Sequence, residues 1–393
     1  MSDSIVITGA ARTPMGGFQG DLSPLSAPEL GASAIKAALT RSALGADQVN
    51  EVIMGCVLPA GQGQAPARQA SIGAGIPLAT GCTTINKMCG SGMKAAMFAH
   101  DLLRAGTNDV MVAGGMESMT NAPYLLDRAR DGYRMGHGQI LDHMFLDGLE
   151  DAYDKGRLMG TFAEDTAEHY QFTREAQDDF AIRSLKRAQR ATEDGSFANE
   201  ITPVGVRSRR ATTEITIDEQ PGKANLDKIP GLRPAFRQDG TVTAANSSSI
   251  SDGAAALVMM SESEAARRGI QPLARIVGHT THAQEPAWFT TAPVHAIKKL
   301  YERTGWSRDD VDLYEINEAF AVVTMAAIRD LQLDDEKVNV NGGACALGHP
   351  IGASGARIVV TLLHALQRHN LKRGVAALCI GGGEATALGI EML

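Results

Sequence analysis

The chain is short of the features that define several protein classes. Aromatic residues make up 5% of its 393 residues, and only two of them are tryptophan. Its five cysteines, Cys56, Cys82, Cys89, Cys345 and Cys379, contain no C-x-x-C pair. An odd, scattered set of this kind fits neither a secreted disulfide framework nor a zinc ribbon. No apolar run approaches the ~18 residues of a membrane span. Basic residues number 37 against 45 acidic ones, a net charge of −8, without the basic patch expected of a nucleic-acid binder. No basic and apolar leader precedes Ser4-Ile5-Val6-Ile7-Thr8, which already reads as a strand, and Ile390-Glu391-Met392-Leu393 is neither a peroxisomal nor a prenylation signal. The expectation is a cytoplasmic protein with reduced thiols and no nucleic-acid or membrane partner.

Glycine, by contrast, is abundant at 42 residues and clusters in motifs rather than repeats, which suggests tight turns and close backbone approaches. A chain this long calls for two or more packed domains. Residues 1–120 alternate short apolar strands (Val52-Ile53-Met54, Asp109-Val110-Met111-Val112) with helical stretches such as Cys89–Ala105, the pattern of an α/β domain. Residues 121–250 are richer in charge and hold an amphipathic helix after Thr173, so they read as an insertion laid over the first domain. The α/β pattern resumes at Asp252, and residues 251–270, with Ala255-Ala256-Leu257-Val258-Met259-Met260 as a buried strand, complete the first half. Residues 271–393 repeat the design, with strands at Ala274-Arg275-Ile276-Val277, Leu313-Tyr314-Glu315-Ile316 and Val375–Cys379 and a helix over Gly352–Leu366. Glycine-rich helix starts at Cys89-Gly90-Ser91-Gly92 and Ile351-Gly352-Ala353-Ser354-Gly355 would face one another if the two similar halves pack together.

Four segments could carry chemistry. In Asn86-Lys87-Met88-Cys89-Gly90-Ser91-Gly92 a cysteine stands at a helix start, where the helix dipole favours its thiolate and the glycines open the backbone N–H groups to a carbonyl oxygen. A lone cysteine is more often a buried structural residue. The same segment matches G-x-G-x-x-A, but a poor strand precedes it and no acid ends the next one, so a dinucleotide site is set aside. In Asn341-Gly342-Gly343-Ala344-Cys345-Ala346-Leu347-Gly348-His349-Pro350, Pro350 holds His349 out of helical geometry, in a loop where it could serve as a general base. Leu378-Cys379-Ile380-Gly381-Gly382-Gly383 ends an apolar strand in a run of glycines able to point N–H donors at an oxygen. In Glu315-Ile316-Asn317-Glu318-Ala319-Phe320, Asn317 is first of all a good helix N-cap, with a carboxamide able to fix a water or carbonyl.

Together these four segments, with Arg12-Thr13-Pro14, Gly114-Gly115-Met116-Glu117-Ser118, Leu232-Arg233-Pro234-Ala235-Phe236 and Asp252-Gly253-Ala254-Ala255-Ala256, resemble the thiolase family over the whole chain. A ketoacyl synthase would share the fold and the first cysteine but not the second cysteine before Gly-Gly-Gly. The resemblance implies an α/β fold of two similar halves in a layered αβαβα arrangement with an inserted loop domain. It implies an acyltransferase that joins two acetyl-CoA into acetoacetyl-CoA and coenzyme A, or cleaves short-chain 3-ketoacyl-CoA, as in fatty acid metabolism. Coenzyme A would be substrate and product, with no prosthetic group and no metal, and the assembly a homotetramer built from dimers. Cys89 would be acylated, His349 would activate it, and Cys379 would move the α-carbon proton. Asn317 would hold a water that completes one oxyanion hole with His349, and the N–H groups of Cys89 and Gly381 would form the other. Leu149, Met159, Ala244, Ser248 and Phe320 fall at positions that line coenzyme A, with Lys223, Lys228 and Arg207–Arg210 as candidates for its phosphates.

Two departures from the family stand out. Leu158-Met159 replaces a His-Met pair, and Phe289-Thr290 aligns with a Met-Gly pair, which resembles the aromatic substitution of thiolases that accept 2-methyl-branched substrates. Cys345 reads as a packing residue. The alternatives are a hydrolase or amidase using Cys89 and His349, which leaves Cys379 without a purpose, and a metal site of Cys89, Cys379 and His349, which lacks the paired ligands of closed zinc sites.

Overall fold

The computed structural model describes residues 3–208 and 211–393. Strands β1 (Ile5–Arg12), β2 (Glu51–Gly55), β3 (Gly81–Ile85), β4 (Val110–Ser118) and β5 (Ser251–Ser261) form the sheet of the first half. Strands β6 (Ala274–Ala283), β7 (Leu313–Ile316), β8 (Arg373–Ile380) and β9 (Glu384–Met392) form that of the second. The first runs β1-β5-β4-β2-β3 and the second β6-β9-β8-β7, the same order of insertion. In each, the outer strands pair in parallel (β4 with β2, β2 with β3, β8 with β7) and the inner ones antiparallel. A fifth strand of the second half is reduced to one parallel bridge between Tyr314 and Val338. The two sheets join edge to edge through a short pairing of Val6 and Ile7 with Arg275 and Ala274.

Burial explains the layering. β5 is a nearly unbroken apolar run, buried on both faces, as a strand covered from two sides must be. Helix α1 (Ala27–Arg41) and helix α2 (Pro66–Gly73) cover the outer face of the first sheet. Helix α3 (Ser91–Arg104) joins the central core. Between β4 and β5 the chain makes helices α4 (Met159–Tyr170) and α5 (Arg174–Glu193), and two small hairpins. Thr173 caps α5 by accepting from the Ala176 N–H at 3.2 Å. Helices α6 (Ala292–Thr304) and α7 (Ala321–Leu331) lie on the outer face of the second sheet.

Helix α8 (Ile351–His369) is buried all round from Ile351 to Leu366, so it has no solvent face to spend on charge. It shares the central core with α3, packed with residues of both sheets. Helix, sheet, helix pair, sheet and helix is the αβαβα arrangement, and the two central helices begin at the glycine-rich segments. A Cβ on Gly92 would come within 2.7 Å of the Ala356 nitrogen, and one on Gly355 within 2.4 Å of the Met93 nitrogen. Only glycine allows that approach, which sets the two helix starts side by side.

Candidate active site

Cys89 occupies the turn between β3 and α3. Met88 before it is held at φ +47°, a left-handed conformation uncommon for a residue with a side chain. Ser91 stabilises the turn: its Oγ donates to the Met88 carbonyl at 2.7 Å and accepts from the Lys87 N–H at 2.8 Å. The turn touches the second half directly. A Cβ on Gly90 would lie 2.4 Å from the Ile380 Cδ1, and Lys87 forms an ion pair with Glu384 on β9.

Ile380 lies between Cys379, buried near the end of β8, and Gly381, whose N–H is directed at the Cys89 sulfur. The chain then passes Gly382 and Gly383 at φ +92° and +90°, where a side chain would be strained. Desolvation pushes the Cys89 thiol up to about 11, against the opposing pull of the Gly381 N–H and its own N–H. The local N–H groups favour the thiolate as the helix start implies, but removal from water outweighs them. Cys379 is also pushed well above the ordinary thiol range, first by burial and next by the neighbouring Cys89. Burial thus disfavours the charged form of both sulfurs, and Cys379 lies close enough to Cys89 to feel its charge.

His349 precedes α8 as Cys89 precedes α3. The Ser354 hydroxyl donates its one proton to the Pro350 carbonyl at 3.0 Å, so its oxygen accepts from His349 Nδ1 at 2.6 Å. The proton is thereby assigned to Nδ1, and Nε2, which is buried and has no partner among the described residues, keeps its lone pair. Burial, with the charge of Arg357 second, lowers the His349 pKa to about 3, so the ring is a neutral base. The Asn317 Nδ2 lies 3.5 Å from His349 Nδ1, while its Oδ1 accepts from Arg357 Nη2 at 3.4 Å. Asn317 does not cap the following helix: α7 begins at Ala321 with Phe320 at the cap, and the carboxamide is turned inward instead.

Of the other sequence candidates, Met159 and Phe320 pack in one apolar cluster with Cys379, Phe162 and Phe289. Met159 Sδ lies within 3.4 Å of where a Cβ on Gly381 would stand. Leu149 packs against the same apolar cluster of Val57, Leu58 and Ile351 as Cys89 and Met88. The Ser248 N–H donates to the Ala319 carbonyl at 2.9 Å, one residue from Phe320, and Ala244 is exposed. Lys223 is paired with Glu219 and, at 3.6 Å, with Asp21, and Lys228 stands exposed. Arg207 is exposed, and Arg209 and Arg210 lie outside the described residues. Cys345 faces Glu318, whose carboxylate accepts from its N–H at 3.1 Å.

Sequence reasoning gave no part to three buried supports. Glu117 accepts from the N–H groups of Val57, Leu58 and Gly352 at 2.9, 3.2 and 2.9 Å, tying the first half to the start of α8. Ser354 fixes the His349 tautomer, and Arg357, with Glu315 3.5 Å away, backs Asn317. Ser354 and Glu117 were visible as polar residues inside glycine-rich motifs; Arg357 had no local signal.

The profile of the thiolase N-terminal domain matches residues 5–263, and that of the thiolase C-terminal domain residues 270–392. Acetyl-CoA acetyltransferase 2 of Arabidopsis thaliana is 53% identical, with 99% of this chain and 97% of that one aligned. The cytosolic acetyl-CoA acetyltransferase of Mus musculus is 49% identical over 99% of this chain and 98% of its own. Among solved structures, the acetyl-CoA acetyltransferase of Bacillus anthracis superposes with a TM-score of 0.97 at 43% identity, covering 100% of this chain and 99% of that one. A thiolase from Ascaris suum in complex with coenzyme A gives 0.94 at 44% identity, covering 99% and 100%.

Proposed function

This chain belongs to the thiolase family, and from that premise we propose how its own residues divide the work of acyl transfer. The enzyme is a thiolase, an acyltransferase acting through coenzyme A thioesters. The observation that supports the assignment of roles is that Cys89 lies within the influence of the Gly381 N–H and Cys379, while the helix that follows the neutral His349 begins against the helix that follows Cys89.

Nε2 of His349 takes the Cys89 proton as the sulfur attacks the acetyl thioester. The tetrahedral oxygen is held by the N–H groups of Cys89 and Gly381. The departing coenzyme A sulfur takes the Cys379 proton, which leaves a Cys379 thiolate beside an imidazolium. Burial penalises each charge alone, but the pair is neutral as a whole. A second acetyl-CoA then loses an α-proton to Cys379. Its enolate oxygen is held by His349 Nε2–H and by a water on the Asn317 carboxamide. The carbanion attacks acetyl-Cys89, and the released sulfur recovers its proton from His349. Every proton is returned, and the reverse course cleaves a 3-ketoacyl-CoA.

Met159, Phe320, Leu149, Ser248 and Ala244 are proposed to line the pantetheine path, under a cover formed by residues 121–250. Lys228 is favoured over Lys223 for the phosphates, since Lys223 is already paired. Short-chain substrates with tolerance of 2-methyl branching are proposed from Phe289, buried in the cluster that holds Cys379. A homotetramer is supported by the open edge strand β3 and by the hairpin Tyr124–Leu126 with Ile140–Asp142, which exposes Tyr124, Leu126 and Ile140. A cytoplasmic location is supported by five unpaired cysteines and by the cytosolic mouse relative; among the described residues no helix is long and apolar enough to cross a membrane.

Incubation with acetyl-CoA should add one acetyl group by intact mass. The adduct should be absent in Cys89→Ala and discharged by free coenzyme A. A hydrolase using Cys89 and His349 would release acetate without coenzyme A and would leave Cys379 idle; acetate release at the rate of adduct loss would sink the transferase roles.

A further inference from the structure

About 14 Å along α3 from its first residue, Ser91, three donor atoms close into a triangle. His100 Nδ1 and Asp101 Oδ1 are 3.0 Å apart, His279 Nε2 and Asp101 Oδ1 3.0 Å, and His279 Nε2 and His100 Nδ1 3.1 Å. His100 and Asp101 belong to α3 in the first half, and His279 to β6 in the second. Both rings are almost fully buried, at 3% and 5% exposure, while the carboxylate reaches solvent.

Protons satisfy only two edges of this triangle at once. If both facing nitrogens carry hydrogen, two N–H groups oppose each other across 3.1 Å. If only one does, the bare lone pair of the other faces the carboxylate oxygen. Every neutral tautomer leaves one edge without a hydrogen bond, whereas a cation seated just off the plane of the triangle takes a lone pair from each of the three donors. Donors about 2.0–2.2 Å from one ion stand about 3 Å apart at right-angled corners of an expanded shell and about 3.4 Å apart in a tetrahedral one, so the triangle suits an ion whose shell is expanded by water. Arg104 and Arg303 oppose a cation through their charge, and Asp101 offsets part of it.

We propose that His100, Asp101 and His279 bind a divalent transition-metal ion of the zinc class, with water completing its shell on the exposed Asp101 side. Two imidazoles and one carboxylate suit zinc and its neighbours rather than magnesium or calcium. The ion pins α3 to β6 and so fastens one half of the molecule to the other; it takes no part in acyl transfer.

The test uses the full-length chain carrying Cys89→Ser and Cys379→Ser, so that the active-site sulfurs cannot hold metal. Chelator-stripped protein is given zinc chloride, desalted and analysed for metal, with cobalt chloride absorption as a spectroscopic check. The expected result is about one zinc per chain, a visible cobalt spectrum and a raised unfolding midpoint. His279→Ala and His100→Gln should each weaken uptake by more than about tenfold. Asp101 is exposed, so Asp101→Ala keeps the fold even if a histidine variant does not, and it too should weaken binding. No retained zinc, or retention unchanged in Asp101→Ala and in the folded histidine variants, would overturn the proposal.

Discussion

Gly355 on α8 lies so close to Met93 on α3 that a Cβ at Gly355 would stand 2.4 Å from the Met93 backbone nitrogen. The obstacle is main chain, so it cannot be relieved by a rotamer change. Gly355→Ala must push the two central helices apart, and overpacking of this kind costs about 1–3 kcal/mol. The expected outcome is a lowered unfolding midpoint. Ser354, which holds the His349 ring, is the neighbouring residue, so acyl transfer per folded molecule should fall as well. Thermal unfolding and single-turnover acetylation measure the two effects separately; a variant unchanged in both would show that the helices are not in the contact described.

Asn317 and Gly381 serve different oxyanions in the proposed mechanism, which makes their variants separable. Asn317→Ala removes the carboxamide beside His349 but leaves the donors at Cys89 intact. Acetylation of Cys89 should therefore proceed at a near-native rate, while acetoacetyl-CoA formation falls about 100–1,000-fold. Stopped acetylation read by mass and condensation read by product absorbance distinguish the steps. An equal loss in both would remove the separate role of Asn317.

Much of this was legible in the chain because the informative residues come in short local patterns. Alternating strands and helices announced two α/β halves, and Cys89, His349 and Cys379 each stand in a glycine-rich segment. What local patterns could not carry is the balance between long-range terms. The helix start at Cys89 favours a thiolate, yet burial among residues of both halves outweighs it. Asn317 has the residue type of an N-cap, yet the turn to α7 places Phe320 there. Arg357 and Glu315 are 42 residues apart in sequence (357 less 315) and meet only through packing of α8 on β7. Glu117 likewise reaches Gly352 only because the halves dock.

Glu117 and Glu315 make stability depend on pH in an unusual direction. Burial raises Glu117 to about 7 and, despite Arg357, Glu315 to about 8. An acid whose folded pKa lies above its unfolded value binds its proton more tightly when folded. Its contribution is complete below the unfolded value near 4.5 and is lost as pH rises through about 7 for Glu117 and 8 for Glu315. Denaturant unfolding should thus show stability declining from these two groups between pH 5 and 8. Glu117→Gln, which keeps one acceptor oxygen for the surrounding N–H groups, should flatten the lower part of that decline. A slope identical to that of the native chain would mean that Glu117 ionises as an ordinary carboxylate.

Phe289 offers the sharpest test of substrate choice. Its ring is buried, 3% exposed, in the cluster with Cys379, Phe320 and Met159, and it meets the Phe162 ring edge-on at 6.1 Å. A 2-methyl group on the substrate would sit on the carbon whose proton Cys379 handles, so the wall beside Cys379 decides whether that methyl is accepted. A rigid ring fixes the shape of this wall, whereas the flexible methionine of Phe289→Met fills space adaptively. One methyl group in an apolar pocket is worth about tenfold or more in specificity. Phe289→Met should therefore lower kcat/KM for 2-methylacetoacetyl-CoA about tenfold relative to acetoacetyl-CoA, with the unbranched rate little changed. Thiolysis of both compounds by both proteins measures the ratio. A native enzyme that fails to turn over the branched compound, or a ratio indifferent to the substitution, would leave Phe289 as core packing and assign chain selection to another wall.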